Sequence, residues 1–263
     1  MQKELIFIKL GGSTITDINN PFMHKSFAIK KILRQIKKAT EKRDINVVIG
    51  HGGGSFGHEA AKINDIQNDL RKGVALTHAA MVDLNHIILD LMLQEGFAPF
   101  PFHPSNFMFS RGGKIAGVWQ QSISAALANN RTPVVHGDII MDFEKNIYLA
   151  STEAVFNALA RDMRPSKIIL LTDVDGVFDS NPKNNKNAKL VPLIDGSNIS
   201  KILKGAGPAT KTDYTGGMNS KVQIGYETVR DYDATVYIAN GTRAGIIEKI
   251  LNGDDALCTI IRK

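Results

Sequence analysis

The sequence predicts an α/β fold in which a mostly parallel sheet lies between two layers of helices, a three-layer αβα sandwich. Apolar runs of strand length alternate along the chain with amphipathic segments of helix length, which is the pattern of a parallel sheet covered on both faces. Lys167–Thr172 contains a continuous apolar run, typical of a central parallel strand. No internal repeat or proline-rich linker divides the chain, so we predict a single domain over residues 1–263.

The N-terminal elements are a strand and a crossover helix. Glu4–Leu10 reads as a buried strand, and it ends in the turn Gly11-Gly12-Ser13. Ser26–Lys42 carries apolar residues at helical spacing and is predicted as an amphipathic helix. In open α/β sheets, ligands bind at the carboxyl ends of the strands, where this first turn lies.

The second strand, Ile45–Ile49, runs into the segment Gly50–His58, which has five glycines within eight residues. Glycines leave main-chain N–H groups open to close approach, and the start of a helix favours an anion. We therefore predict a phosphate site at this loop.

The middle of the chain is predicted to combine helices, one edge strand and two hairpins. Two prolines confine one strand to a sheet edge, and a glycine pair marks a hairpin tip. The elements are a helix at Val74–Gln94, an edge strand at Ala98–Phe102, a hairpin tip at Ser110–Lys114, a helix at Gln120–Asn130, a strand at Thr132–Asp138 and a polar hairpin at Ile139–Ala150.

The C-terminal part continues the alternation of strands and helices. Ser151 is predicted to cap a helix that runs to about Met163. After the central strand come an exposed loop at Asp179–Lys189, a helix from Thr215 to Asp231, a strand at Ala234–Ala239, a short helix at Ile246–Leu251 and a last strand at Leu257–Ile261.

Composition restricts the class of protein. Hydrophobic residues make up 43% and charged residues 22%, as in ordinary globular proteins. The net charge of +6 comes from lysines spread along the chain, so we expect anionic small substrates rather than nucleic acid. Cys258 is the only cysteine, which excludes an intrachain disulfide and fits a cytoplasmic protein. No eighteen-residue apolar window is evident, and we expect no membrane insertion.

The glycine loop also satisfies a competing pattern. Gly52-x-Gly54-x-x-Gly57 between a strand and a helix matches the dinucleotide-binding fingerprint. Thr77 stands about where that fingerprint has an acidic residue, and two further glycine turns remain unexplained by it. A Walker A sequence is absent, so any nucleoside triphosphate is bound by a different phosphate-binding motif.

Charged residues near these turns are the candidates for chemistry. Lys9 lies at a strand end, and Lys221 lies near a helix start, where the macrodipole disfavours a cation unless an anion binds there. Asp138, Asp173 and Asp175 follow apolar strands and would either hold magnesium and orient lysines or serve as caps and turn residues. His58 follows the glycine loop and can donate to a phosphoryl oxygen. The other histidines, such as His78, His86 and His103, are read as structural.

Together these residues resemble the amino-acid-kinase superfamily and, within it, the isopentenyl phosphate kinases. The resemblance covers nearly the whole chain. It rests on Lys9-Leu-Gly-Gly-Ser-Thr-Ile-Thr16, His51-Gly-Gly-Gly-Ser-Phe-Gly-His58, Gly137-Asp138, Leu171-Thr-Asp-Val-Asp-Gly176 and Thr215-Gly-Gly-Met…Lys221.

The resemblance implies a homodimer that uses ATP and Mg²⁺ to phosphorylate a small phosphorylated isoprenoid, isopentenyl phosphate. Residues 1–165 would bind the acceptor and residues 166–263 the nucleotide. Lys9 and Lys221 would stabilise the transferring group, and Asp138 and Asp173 would organise these lysines. The implied substrate-binding residues are Gly53, His58, Gly137 and Thr152. The implied ATP-binding residues are Lys9, Gly11, Gly12, Ser13, Gly54, Asp173, Asp175, Gly216 and Lys221.

Two departures from the family pattern keep alternatives open. Ile18 stands where the family usually has a lysine, and Lys25 is the nearest replacement cation. Ser151-Thr152-Glu153-Ala154 replaces the common Ser-Gly-Asp-Asp. The alternatives are a kinase of another small phosphate or a phosphonate, as in fosfomycin kinases, and a non-catalytic nucleotide-binding regulator.

Overall fold

The computed structural model describes residues 3–17, 19–63, 70–182, 185–205 and 217–263. For residues 58, 59, 62, 63, 70 and 205 it describes the backbone but not the side chain. Its strands are β1 (Glu4–Leu10), β2 (Ile45–His51), β3 (Pro99–Pro101), β4 (Met108–Arg111), β5 (Lys114–Val118), β6 (Thr132–His136), β7 (Asp138–Asp142), β8 (Asn146–Ala150), β9 (Lys167–Thr172), β10 (Leu193–Ile194), β11 (Thr235–Asn240) and β12 (Cys258–Ile261).

The helices agree closely with the long amphipathic segments of the sequence. They are α1 (Gly12–Ile15), α2 (Ser26–Glu41), α3 (Gly54–Ile63), α4 (Leu70–Gln94), α5 (Pro104–Phe107), α6 (Gln121–Ala128), α7 (Thr152–Met163), α8 (Ile199–Gly205), α9 (Gly217–Tyr232) and α10 (Ile246–Asn252). The first glycine turn is thus a single helical turn, α1. Strand β10 and helix α8 were not predicted from the sequence, and both follow the predicted loop at Asp179–Lys189.

Within the described residues, eight strands form the main sheet in the order β10-β12-β11-β9-β1-β2-β6-β3. All neighbouring pairs from β11 to β3 are parallel, whereas β12 runs antiparallel to β11. The predicted α/β class is confirmed, with β9 in the interior of the sheet and the proline-containing β3 at its edge.

Alternating residues of the strands feed two separate cores, which is what makes the fold three-layered. Ile6, Ile8 and Leu10 of β1 pack on one face with α2, α4 and α10. Phe7 of β1 packs on the opposite face with α6, α7 and α9. Successive strand side chains point to opposite faces, so a strand that is apolar throughout requires helices on both sides.

A second, four-stranded sheet has the order β5-β4-β7-β8. After β4 and β5, the chain returns to this sheet at Gly137, and this corrects one sequence-based boundary. The strand predicted to end at Asp138 ends at His136, and Asp138 is the first residue of β7. Gly137 N–H donates to the carbonyl oxygen of His51 at 3.2 Å, so the main-sheet pairing finishes just where the chain turns away.

Helix α4, with 25 residues, is the longest helix among the described residues. An eighteen-residue window within Arg71–Gln94 has a mean hydropathy of 1.2, so by length and composition alone this helix could cross a membrane, contrary to the expectation that no such window exists. Core helices of globular proteins pass the same test. Leu84, Ile88 and Met92 are fully buried against the main sheet, which gives α4 a core to pack on.

Candidate active site

The carboxyl ends of four neighbouring strands lie level with one another. Leu10 of β1 is in register with His51 of β2 and with Leu171 of β9, and His51 is in register with His136 of β6. The residues that follow these strand ends are Gly11, Gly52, Gly137 and Asp173. The motif residues dispersed in the sequence are therefore brought to one edge of the sheet, as parallel topology requires.

The two glycine turns touch each other through their backbones. A Cβ atom at Gly12 would collide with the backbone nitrogen of Gly54, and a Cβ atom at Gly54 would collide with Oγ1 of Thr16. Thr16 joins the turns, because its hydroxyl donates to the Gly12 carbonyl oxygen and accepts from Ser55 N–H, each at 2.9 Å. The loops form one surface rich in main-chain N–H groups.

Replacing Gly54 by alanine is expected to lower activity at least about tenfold, since the added methyl group separates the two turns and misplaces their N–H groups. Gly54 has φ +48°, which by itself strains an alanine. Gly253 has φ +76° and open space around its Cα, so Gly253→Ala is a matched control that carries only the backbone strain. Equal activity of the two variants would contradict the role of the contact. Steady-state kinetics and thermal melting of both variants make the comparison.

Two lysines converge on one buried carboxylate behind these turns. Lys9 Nζ lies 2.6 Å from Oε2 of Glu153, and Lys221 Nζ lies 3.9 Å from Oε1 of the same residue. Side chains of Lys9 and Glu153 are only 8% and 5% exposed. Two cations on one anion give this cluster a net positive charge, and the cluster lies beside the strand ends that carry the backbone donors. This arrangement is suited to a polyphosphate.

Glu153 is a candidate site residue that sequence reasoning missed. Burial raises the pKa of its carboxyl, but the charges of Lys9 and Lys221 outweigh burial and lower that pKa to about 2. Helix α7 begins at Thr152, and the predicted cap is confirmed, because Ser151 Oγ accepts from Ala154 N–H at 3.1 Å. The sequence signal that could have identified Glu153 is its position in the first turn of a helix that follows a strand end. Glu153 enters the sequence analysis only as part of a departure from the family motif.

The family resemblance implied that Asp138 organises Lys9 and Lys221, but its carboxylate contacts other groups. Its Oδ1 accepts from Nδ1 of His78 at 2.8 Å, and its Oδ2 accepts from Ser105 N–H at 3.1 Å. Asp138 is thus tied to helices α4 and α5, and the carboxylate between the two lysines is Glu153. Asp138 lies away from the lysines because it belongs to β7, which is part of the four-stranded sheet and not of the main sheet.

Thr152 is buried rather than open to a substrate. It is 1% exposed, and its hydroxyl donates to the carbonyl oxygen of His51 at 2.7 Å. The same carbonyl accepts from Gly137 N–H. The Thr152 hydroxyl therefore connects the ends of β2 and β6 to the start of α7, and the substrate-binding role implied for Thr152 by the family resemblance stays a prediction.

Residues implied for ATP binding occupy the side of β9. Ser13 Oγ donates to Oδ1 of Asp173 at 3.0 Å, which links the first turn to the end of β9. Asp175 is held differently, because Arg243 forms a bidentate pair with it at 2.6 and 2.7 Å. Gly11 packs against the carbonyl of Leu171, where a side chain has no room.

The structure does not give a full position for three residues discussed in the sequence analysis. Gly216 and Ile18 lie outside the described residues, and His58 is described only as the fifth residue of α3. Lys221 is the fifth residue of α9, near the helix start as predicted, and donates to the carbonyl oxygen of Gly217 at 3.3 Å. Lys25 Nζ donates to the carbonyl oxygen of Ser13 at 3.1 Å, so this cation lies beside the first turn.

A chain of imidazoles lies beneath the second glycine turn. His51 and His136 stack with ring centroids 5.3 Å apart, and His136 Nε2 lies 2.8 Å from His103 Nδ1. Burial lowers the pKa of His51 to about 3 and also lowers that of His136. These two rings are therefore neutral, and each donates through Nδ1 to the carbonyl oxygen of the next residue.

The model of the amino acid kinase family matches residues 4–240 of the chain. The chain belongs to the amino acid kinase family. The resemblance inferred from the motifs is therefore confirmed.

Isopentenyl phosphate kinases are among the most similar relatives of this member of the amino acid kinase family. That of Methanocaldococcus jannaschii is 32% identical, covering 95% of this chain and 96% of the relative. That of Methanothermobacter thermautotrophicus is also 32% identical, covering 98% of each chain. An X-ray structure of an isopentenyl phosphate kinase superposes with a TM-score of 0.81 at 29% identity, covering 98% of this chain and all of that one.

Proposed function

We propose that this protein is an isopentenyl phosphate kinase, which transfers the γ-phosphoryl group of ATP to the terminal phosphate of isopentenyl phosphate. The observation that carries the proposal is the Lys9–Glu153–Lys221 cluster at the meeting point of the two glycine turns. The full-length similarity to isopentenyl phosphate kinases supports the choice of acceptor.

The lysines act by stabilising charge. In phosphoryl transfer the negative charge is spread over the oxygens of the transferring group, and catalysis consists mainly of positioning and electrostatic stabilisation. Lys9 is held rigidly by Glu153 and needs little rearrangement to face that charge. Lys221 approaches from the nucleotide half, so the two ammonium groups flank the γ-phosphoryl group.

The acceptor binds on the side of β2 and β6. Gly53 and Gly54 offer backbone N–H groups, Gly137 lies beside them, and His58 binds the acceptor phosphate. An apolar wall is supplied by α4, whose Met81 sulfur reaches the glycine turn and would lie 2.8 Å from a Cβ atom at Gly53. A short hydrocarbon tail fits such a wall.

Mg²⁺ accompanies the nucleotide in this proposal. Among the described residues no group of three or more His, Cys, Asp or Glu is arranged to hold a metal ion. This fits Mg²⁺, which is bound mainly by water and substrate phosphates together with one or two carboxylates. Asp173, beside Ser13, is the carboxylate suited to that role, and the ion would neutralise phosphate charge there.

We also propose four finer features of this protein. They are the homodimer, the cytoplasmic location, the absence of nucleic-acid and membrane partners, and the division into an acceptor half at residues 1–165 and a nucleotide half at residues 166–263. Lys25 is proposed to supply the first-loop cation in place of Ile18, because its ammonium already lies at Ser13.

Purified protein incubated with ATP, Mg²⁺ and isopentenyl phosphate is expected to form isopentenyl diphosphate and ADP. Parallel reactions with fosfomycin and with other small phosphates test the alternative acceptors. Turnover of fosfomycin but not isopentenyl phosphate would reassign the acceptor and keep the kinase. ATP binding measured by calorimetry without turnover of any acceptor would favour the regulator.

A further inference from the structure

His78 is a half-buried imidazole that the proposed mechanism does not use. It lies on α4, one turn before Met81, whose sulfur contacts the glycine turn at Gly53. Its side chain is 36% exposed, and Nδ1 lies 2.8 Å from Oδ1 of Asp138. Helix α4 therefore contacts both parts of the chain assigned to the acceptor, the glycine turn through Met81 and the Gly137-Asp138 segment through His78.

The ring nitrogens of His78 have different partners. A carboxylate only accepts, so Nδ1 carries a hydrogen and donates it to Asp138. Within the described residues, Nε2 makes no hydrogen bond. The nitrogen opposite the carboxylate is therefore available to a ligand, as in other carboxylate–histidine pairs in which the carboxylate sets the tautomer and orientation.

Two buried hydroxyls belong to helices that contact Asp138, one on α4 and one on α5. Oγ1 of Thr77, the residue before His78, is buried and has no hydrogen-bond partner among the described residues. The same holds for Oγ of Ser105, whose N–H donates to Asp138. Thr77 is only 4% exposed. Buried hydroxyls without partners are costly unless a ligand or water bonds to them, and phosphate oxygens accept from hydroxyls.

The charge of His78 follows from its neighbours. The hydrogen bond and charge of Asp138 on β7 raise the pKa of the His78 imidazole above its usual value, although burial opposes them. His103 before α5 and His136 on β6 face the same group, and α3, which packs against α4, carries His58, Glu59 and Lys62. Burial lowers the pKa of His103 and His136, so of these three neighbouring imidazoles His78 gains a proton most readily.

We propose that His78 is a second imidazole of the acceptor site, which binds the acceptor's phosphate through Nε2–H while Asp138 holds Nδ1. This rests on the proposed function for the identity of the acceptor. The phosphate would complete the hydrogen bonds of Thr77 and Ser105. Because the imidazolium form binds a phosphate dianion better, acceptor affinity should fall as pH rises through the pKa of His78.

The kinetic test compares His78→Asn with His86→Asn, an exposed histidine two turns further along α4. His78→Asn is expected to raise the acceptor KM about tenfold to a hundredfold, as for loss of a charged hydrogen bond, with the ATP KM unchanged. It should also remove the His78 step from the pH profile of the acceptor KM. An unchanged acceptor KM, or an equal rise in both KM values, would overturn the proposal.

A second measurement does not depend on turnover. The histidine resonances of the wild-type protein are titrated with pH by NMR, with and without inorganic phosphate and then isopentenyl phosphate, in the absence of ATP. A rise in the pKa of His78 with both phosphates supports the anion site even if isopentenyl phosphate is not phosphorylated, in which case only the proposed function fails. An unchanged pKa of His78 in the presence of both ligands overturns the proposal, including when His78→Asn does not fold.

Discussion

Replacement of Lys9 by methionine is expected to lower kcat by about 10²–10³-fold, the usual cost of removing one preorganised charge-stabilising group. Methionine keeps the length and most of the volume of the side chain. Its effect therefore reports the loss of the ammonium that lies 2.6 Å from Glu153 rather than a change in packing. The measurement is ADP release at saturating ATP and acceptor.

Lys25→Met is the comparison for Lys9→Met. Lys25 contacts the first turn through the carbonyl oxygen of Ser13, away from the buried cluster. We expect this variant to lower kcat much less than Lys9→Met does. A kcat for Lys9→Met within threefold of wild type would show that Lys9 does not face the transferring phosphoryl group.

Replacement of Glu153 by glutamine is expected to destabilise the fold and to impair catalysis together. Glutamine keeps the shape but removes the charge, and two ammonium groups remain near each other without the buried anion. Breaking a buried ion pair costs about 3–5 kcal/mol of unfolding free energy. The lysines also lose the group that holds them, so kcat should fall by at least tenfold.

The stability difference between wild type and Glu153→Gln is expected to depend on pH. The pKa of Glu153 is about 2 in the folded state, below the ordinary 4.5, so its stabilisation is present above about pH 4.5 and is lost as pH falls towards 2. The difference in unfolding free energy between wild type and Glu153→Gln should therefore shrink over that window. Denaturant unfolding at a series of pH values measures it.

Glu248→Gln is the matched control, because Glu248 also contacts two lysines, Lys38 and Lys42, but on the surface. Surface pairs contribute about 0–1 kcal/mol. Equal destabilisation by the two variants would mean that burial of Glu153 does not govern its contribution.

Contacts between side chains that are distant in the sequence explain what sequence reasoning missed. Glu153 is 144 positions from Lys9, as their numbers show, and they meet only because α7 begins beside the end of β1. The same holds for His78 and Asp138, which were assigned separately as structural and catalytic. A side chain's partner depends on where its element docks, and periodicity carries no information about docking.

The sequence by itself determined the α/β class, the parallel strands, and the glycine turns that follow β1 and β2. Strand ends of a parallel sheet meet at one edge, so placing Lys9 and the glycines there needed only the order of elements. Tertiary structure alone decided that Glu153 is the carboxylate between the lysines, that Thr152 is a buried connection, and that Asp138 pairs with His78. The physical reason is that local patterns specify which elements form, whereas the pairing of buried charges is set by the packing of those elements.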